Sequence, residues 1–401
     1  MRYTFAHLVV SCVFLGSLAA EFSENQRTQL LKRYPKADTN GDGSLSQEEA
    51  EAHQKKLQAR AKRAKRFGVK TNFKVHPGWK AERFPDHAMC YRTPEELKKA
   101  YGKVVSYQKP EDGGLRIVAT GHSFMMPGFK TLPGISRLAG FEQPFLAHTG
   151  GGMTGSARYK WEEENGIFQF DSEPKPKLLA SIANAEWDAM MWGPYFNDRP
   201  EYYSCWIDFC LKYHPNMAFY LSDAWPSIQE LEKTPQSEAE LTHELFTQLD
   251  KHKYAQYGQI MTTLNTKYPG KVFVLPTSAA MVLAVKHYHR GELPGVEGIH
   301  RAIGKKERSL WVDPLGHIGP GFDRLEGYVF YATLYGKSPE LLKVDASLSS
   351  KPDAFPSRAL DKVFRKIAWQ AVINNPLSGV TDKDGDGIKD GDGIKDGAKS
   401  S

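Results

Sequence analysis

The chain has 401 residues, a hydrophobic fraction of 40% and a formal net charge of +6. That length accommodates one large domain with accessories, and the composition is that of an ordinary globular protein. The charge is modest and much of it sits in one run, Lys55 to Arg66, so the surface as a whole is not marked for nucleic acid. No stretch after the first twenty residues approaches the ~18 apolar residues of a membrane helix, which excludes an integral membrane segment in the mature chain.

Residues 1–20 read as a secretory signal. Arg2 precedes an apolar stretch from Leu8 to Leu18, and Ser17-Leu18-Ala19-Ala20 offers small residues for cleavage. No cysteine stands at the cleavage point, so no lipid anchor is expected there. The mature chain is expected to be soluble and exported, secreted or periplasmic. Nucleic acid is no partner for such a chain. Cys12 leaves with the signal, and Cys90, Cys205 and Cys210 remain. On a helix, residues five apart lie about 140° apart around the axis, so Cys205 and Cys210 do not bridge each other. Either Cys90 pairs with one of them or all stay reduced.

Residues 21–68 are polar, charged and helical in pattern. Within them, Asp38-Thr-Asn40-Gly-Asp42-Gly43-Ser44-Leu45-Ser46-Gln-Glu-Glu49 fits the twelve-residue EF-hand calcium loop. Asp38, Asn40, Asp42 and Ser46 supply oxygens at positions 1, 3, 5 and 9. Ser44 supplies its backbone carbonyl at 7, and Glu49 can bind through both oxygens at 12. Calcium requires many hard oxygens on a flexible loop, and glycine at position 6 permits the sharp turn. Entering and leaving helices are predicted over 23–34 and 48–65. A solitary loop of this kind binds weakly, at about 10⁻⁴–10⁻³ M, which suits a structural role outside the cell.

Residues 69–114, rich in Lys, Pro and aromatics, read as a linker packed on the next domain, with one helix at Pro94 to Tyr101. Across 115–376 strand and helix alternate. Strands are predicted at 115–120, 187–192, 217–221, 272–275 and 309–312, each a short apolar run suited to burial on both faces. Helices are predicted at 202–213, 238–268, 279–290 and 357–374. Strands separated by helices of this length imply a parallel sheet in a three-layer α/β domain. Ligands in such sheets sit beyond the carboxyl ends of strands.

Arg116-Ile-Val-Ala-Thr-Gly121-His122-Ser123 runs from a strand into a turn that can open a helix, so Ser123 is presented at the rim of the sheet. Far downstream, Asp313-Pro314-Leu315-Gly316-His317 follows another β-like run. Together they supply the side chains of a Ser-His-Asp system. Pro314 pushes Asp313 toward extended geometry, so Asp313 and His317 must meet across a tight loop rather than one helical turn. His122 and His148 read as structural or substrate-facing, since no spacing supports a transition metal. Trp187, Trp192, Tyr195 and Trp225 lie near strand ends, most in the core, with one or two able to line a sugar-binding cleft. Asp323 is a spare acid expected on the helix after His317.

Residues 377–401 form a Gly/Asp/Lys tail without a core of its own. Asp382-Lys-Asp384-Gly-Asp386-Gly387-Ile388-Lys-Asp390 repeats the calcium pattern but lacks the position-12 glutamate. It resembles the calcium repeats of dockerin and thrombospondin type 3 tails, and that resemblance implies calcium ligands at Asp382, Asp384, Asp386 and Asp390; the alternative is a disordered acidic tail.

Residues 115–345 resemble the SGNH (GDSL-type) hydrolase superfamily. Gly121-His122-Ser123-Phe124 stands for G-D-S-L, with histidine in place of aspartate. Gly150-Gly151-Gly152 stands for the glycine of the second block. Gly193-Pro-Tyr-Phe-Asn197-Asp198 stands for G-x-N-D with two extra residues, and Asp313 to His317 for D-x-x-H with one. The resemblance implies a flavodoxin-like α/β/α fold and an esterase in which Ser123 is nucleophile, His317 its base and Asp313 the residue that orients the base. Oxyanion donors would be the N–H of Ser123, that of Gly151 and the amide of Asn197, each worth ~3 kcal/mol in a transition state. The implied substrates are acyl esters, acetyl groups on extracellular polysaccharide among them. The alternative is a catalytically silent relative that binds carbohydrate or partners, with its calcium modules serving adhesion or assembly.

Overall fold

The computed structural model describes residues 22–66, 93–101, 103–149, 177–193, 200–351 and 353–390. The signal at 1–20, the linker over 69–92, Cys90, Gly150 to Gly152, Tyr195, Asn197, Asp198 and the tail beyond 390 lie outside the described residues. The chain divides into two compact units, Met1–Thr71 and Asn72–Ser401.

In the first unit, α1 (Glu24–Arg33) opens with a reciprocal cap. The Ser23 hydroxyl accepts the Gln26 N–H at 3.3 Å, and the Gln26 side chain accepts the Ser23 N–H at 2.9 Å. Helix α2 (Gln47–Arg66) places Glu48 and Glu49 in its first turn, where the positive end of the helix dipole favours them. Phe22, Ala37, Leu45 and Ala50 form a small buried cluster beneath the loop that joins the two helices.

Among the described residues of the second unit, α3 (Pro94–Tyr101) is followed by β1 (Ile117–Gly121), α4 (Met126–Leu138), β2 (Phe145–Thr149), α5 (Lys177–Asn184), β3 (Ala189–Trp192) and α6 (Pro200–Tyr213). Then come β4 (Ala218–Ser222), α7 (His243–Lys267), β5 (Val272–Leu275), α8 (Thr277–His289), β6 (Gly298–His300), α9 (Arg301–Gly304), β7 (Ser309–Trp311), α10 (Phe322–Tyr335) and α11 (Arg358–Ile373). The main sheet has the order β2-β1-β3-β4-β5 with every pair parallel. This is the flavodoxin-like order.

Successive side chains of a strand face opposite sides, and the two hydrophobic clusters follow that rule. Ile117, Ala119, Ala189 and Met191 join one core, covered by α4, α8, α10 and α11. Val118, Met190, Trp192, Phe219 and Leu221 join the other, covered by α3, α5, α6 and most of α7. The result is a three-layer α/β/α sandwich with a sheet buried on both faces. No helix among the described residues is long and apolar enough to cross a membrane.

Several elements depart from the sequence reading. Strand β2 is absent from the predicted set. It is an edge strand, only partly buried, so its sequence lacks the continuous apolar run of its neighbours. The segment predicted at 309–312 does not extend the main sheet; β7 pairs with β6 in a separate two-stranded sheet. The helix predicted from 238 starts at His243, where Thr242 caps it by accepting the Leu245 N–H at 3.2 Å. The tail up to Asp390 is docked on the domain. Ser338 N–H donates to Gly387 O and Lys389 N–H to Gly336 O, both at 2.7 Å, and the Trp369 indole N–H donates to Asp382 Oδ2 at 3.0 Å.

Candidate active site

Strand β1 ends at Gly121 and the chain turns at His122, whose carbonyl accepts the N–H groups of Met125 at 2.9 Å and Met126 at 3.2 Å. That turn lifts Ser123 out of the sheet, and Ser123 is exposed while Gly121 and His122 on one side and Met125 on the other are buried. The position lies at the carboxyl end of β1, between β1 and β3, where the order of strands reverses and open α/β sheets take ligands. The tips of β1 and β3 are close. Gly193 N–H donates to Thr120 O at 3.0 Å, and a Cβ on Gly193 would stand 2.5 Å from Met125 Cγ and 3.2 Å from Gly121 Cα. A side chain at 193 would force the Met125 side chain to shift.

Asp313 and His317 arrive from β7 on a turn. Gly316 N–H donates to Asp313 O at 2.9 Å and Val312 N–H to His317 O at 2.9 Å, closing the turn at both ends. Gly316 has φ +96°, the left-handed region that favours glycine. Across this turn His317 Nδ1 meets Asp313 Oδ2 at 2.7 Å, and Asp313 Oδ1 also accepts the His317 N–H at 3.2 Å. On its other side, His317 Nε2 lies 2.8 Å from Ser123 Oγ. The three side chains singled out in the sequence therefore form one hydrogen-bonded chain, 194 residues apart at its longest step. The Phe124 ring sits edge-on to His317 at 5.2 Å and tilted against Trp225 at 5.3 Å. The Ser123 N–H makes no hydrogen bond among the described residues. The other two expected oxyanion donors, Gly151 and Asn197, lie outside the described residues.

The segment after β4 holds this turn in place, and it went unrecognised in the sequence. Trp225, read there as core or cleft lining, is buried and donates its indole N–H to Gly316 O. Ser227 donates its hydroxyl to Pro314 O at 3.1 Å. Just upstream, Asp223 is buried and its Oδ1 accepts the Ser278 N–H at 2.9 Å and the Thr277 hydroxyl at 3.0 Å, which fastens β4 to the start of α8. Burial pushes the Asp223 carboxyl up to about 7; the nearby Asp250 adds to this, and the two hydrogen bonds oppose it. A polar residue in an otherwise apolar strand end was the only signal available in sequence. Trp187 and Trp192 are buried core. Asp323 stands in the first turn of α10, as expected.

The Asp38 to Glu49 loop has Gly41 at φ +76° and Gly43 at φ +80°, the left-handed region that favours glycine. Its acids turn inward onto the loop. Asp38 accepts the N–H groups of Gly41 at 2.6 Å and Gly43 at 2.9 Å, and Asp42 accepts that of Ser44 at 2.8 Å. Asn40 Oδ1 accepts the Asp42 N–H at 2.9 Å. Glu49 accepts from Thr39 at 2.7 Å and Ser46 at 2.9 Å, and these bonds hold its carboxyl down to about 2. The oxygens are those calcium takes, although the carboxylates of this loop do not converge on one point. Among the described residues, Asp382, Asp384 and Asp386 are the acids whose oxygens all lie within 4.8 Å of one another. Asp390, by contrast, accepts the Lys383 N–H at 3.1 Å.

Cys205 and Cys210 are buried, and burial raises both thiols. Comparison of the chain with protein-family models, with curated proteins and with solved structures gave no match.

Proposed function

We propose that this protein is an exported serine hydrolase of SGNH type, an esterase that removes acyl groups from extracellular polysaccharide or similar esters. The observation that carries the reading is the continuous contact Ser123 Oγ, His317 Nε2, His317 Nδ1, Asp313 Oδ2, with spacings of 2.8 Å and 2.7 Å. A serine hydroxyl is a poor nucleophile at neutral pH until a base takes its proton. His317 is placed to accept that proton as Ser123 Oγ attacks the ester carbonyl. Asp313 fixes the ring with Nδ1 as donor and stabilises the imidazolium that forms. The carbonyl oxygen becomes an oxyanion facing the Ser123 N–H. Its collapse breaks the bond to the alcohol, which leaves with the proton from His317. Water then attacks the acyl-serine with His317 again as base, which releases the acid and restores Ser123.

The polymer class rests on the signal read at residues 1–20. The calcium reading rests on the Asp38 to Glu49 ligand pattern and on the Asp382, Asp384 and Asp386 group, and both sites are taken as structural. The test is hydrolysis of p-nitrophenyl acetate by the full chain and by Ser123→Ala, with labelling by a serine-reactive phosphonate. Serine-dependent turnover and labelling are expected. Equal turnover by the two proteins overturns the reading.

A further inference from the structure

The core between α4 and α10 contains a buried carboxyl with no role in the chemistry above. Glu326, on α10, is 3% exposed. Its Oε2 accepts the N–H of Gly128 at 2.6 Å, while its Oε1 is buried without a hydrogen-bond partner among the described residues.

Gly128 is the third residue of α4, the helix that opens directly after the Ser123 turn. The first amides of a helix have no partner within it and are usually satisfied by a cap. Helix α4 has Met125 in the capping position, with no side-chain cap. Met126 N–H reaches back to His122 O and Phe129 N–H to Met125 O, and Pro127 has no N–H. The Gly128 N–H is satisfied by Glu326, from a helix that begins five residues after His317. One hydrogen bond thus joins the helix behind the nucleophile to the helix behind the base.

The approach of the two helices is built for this bond. A Cβ on Gly128 would overlap the Phe330 ring and stand 2.9 Å from Glu326 Cγ. One turn along α4, Thr131 donates its hydroxyl to Asp323 O at 2.8 Å. A Cβ on Gly327 would overlap that hydroxyl and stand 2.7 Å from Ile135 Cδ1. A glycine on each helix lets the backbones come close enough for a glutamate to span them. Glu326 also lines a small cavity whose walls include Trp225, which holds Gly316, and Ile318, the neighbour of His317.

We propose that Glu326 is a positioning residue for the Ser123 site, its bond to Gly128 fixing where the nucleophile turn stands relative to His317. The inference rests on the hydrolytic reading above. Burial drives the Glu326 carboxyl well above the ordinary range and so favours its neutral form; the Gly128 N–H opposes this, and Asp323 on the same helix adds to it. A neutral acceptor has an isostere, since glutamine keeps the carbonyl oxygen and the volume. Methionine keeps much of the volume and removes the acceptor.

The experiment compares the full-length wild type with Glu326→Gln and Glu326→Met by p-nitrophenyl acetate kinetics and by melting temperature. A core variant remote from the turn, Leu360→Ala on α11, reports the effect of lost stability alone. Glu326→Gln is expected within about twofold of wild-type kcat with an unchanged pH profile. Glu326→Met is expected to lose about tenfold or more in kcat with KM nearly constant, the pattern of a misplaced nucleophile rather than weakened binding. Leu360→Ala is expected to melt lower while keeping kcat. If Glu326→Met does not fold, Glu326→Asp, one methylene shorter, carries the same expectation. Wild-type kcat in the Met or Asp variant overturns the positioning role alone. A kcat loss no greater than that of Leu360→Ala at equal loss of melting temperature also overturns it. Turnover that does not depend on Ser123 overturns the hydrolytic reading instead, and the positioning role with it.

Discussion

Asp313 and His317 are four residues apart and face each other across a turn, with Oδ2 2.7 Å from Nδ1. Helical spacing is not what joins them. The turn is closed by backbone bonds at Gly316 and Val312 and is gripped from outside by Trp225 and Ser227. The carboxylate therefore selects the tautomer of His317 that leaves Nε2 free to accept from Ser123.

Asp313→Asn is expected to retain the fold and lower kcat by roughly 10³–10⁴-fold, because an amide cannot hold the imidazole in that tautomer or stabilise its charged form. Steady-state kinetics on an ester, with circular dichroism as the check on folding, measures it. A loss below tenfold would remove Asp313 from the chemistry.

Trp225→Phe keeps a ring against Phe124 and removes the N–H that Gly316 O accepts. Leaving that carbonyl without its donor is expected to cost about 1–3 kcal/mol of stability. Because the loss falls on the turn that carries His317, kcat should fall along with the melting temperature. Denaturant unfolding and kinetics on the same sample test both.

Asp223 governs a pH dependence of stability. Its carboxyl sits at about 7 in the folded protein against an ordinary 3.8, with burial as the main cause. A raised carboxyl means that the folded state holds a proton the unfolded state gives up. The stability it contributes is complete below about pH 4 and is lost as pH climbs through about 7. Asp223→Asn keeps the acceptor for Ser278 and Thr277 and cannot ionise. Relative to wild type it should gain stability between pH 4 and pH 7, by ~4 kcal/mol at the upper bound. Melting temperatures of the two proteins across that range decide it; parallel curves would place the ionisation of Asp223 elsewhere.

Glu49→Gln tests the calcium reading of the first unit. Isothermal titration of the full chain with calcium is expected to detect a weak site of about 10⁻⁴–10⁻³ M that the variant lacks. Heat from the Asp382, Asp384 and Asp386 group should persist in both proteins. Identical titrations would mean that the loop is an acidic turn stabilised by its own amides.

Ser123 and Asp313 were recognisable in the sequence because each stands just past an apolar strand where polar residues begin, and His317 because it follows Asp313 by four residues. That β1, β3, β4 and β5 lie in a parallel sheet was foreshadowed by their short apolar runs separated by helices; their order was not. Strand β2 escaped because an edge strand carries a weaker pattern. Trp225, Ser227, Asp223 and Glu326 escaped for another reason. Their work is done through contacts to residues far along the chain, and a tryptophan that donates to a carbonyl 91 residues away has the same composition as one that only fills space.

Local order along the chain was enough to specify the α/β alternation, the acidic loop between two helices, and where Ser123, Asp313 and His317 stand relative to the strands. These depend on periodicity and on neighbours within one turn. Whether the hydroxyl just after β1 meets the imidazole after β7 depends on how the α4 and α10 helices close against each other, on glycines at 128, 193 and 327 that admit close approach, and on buried polar groups that lock the turn. Such contacts are non-local, and their energies are set by packing that exists only once both faces of the sheet are covered.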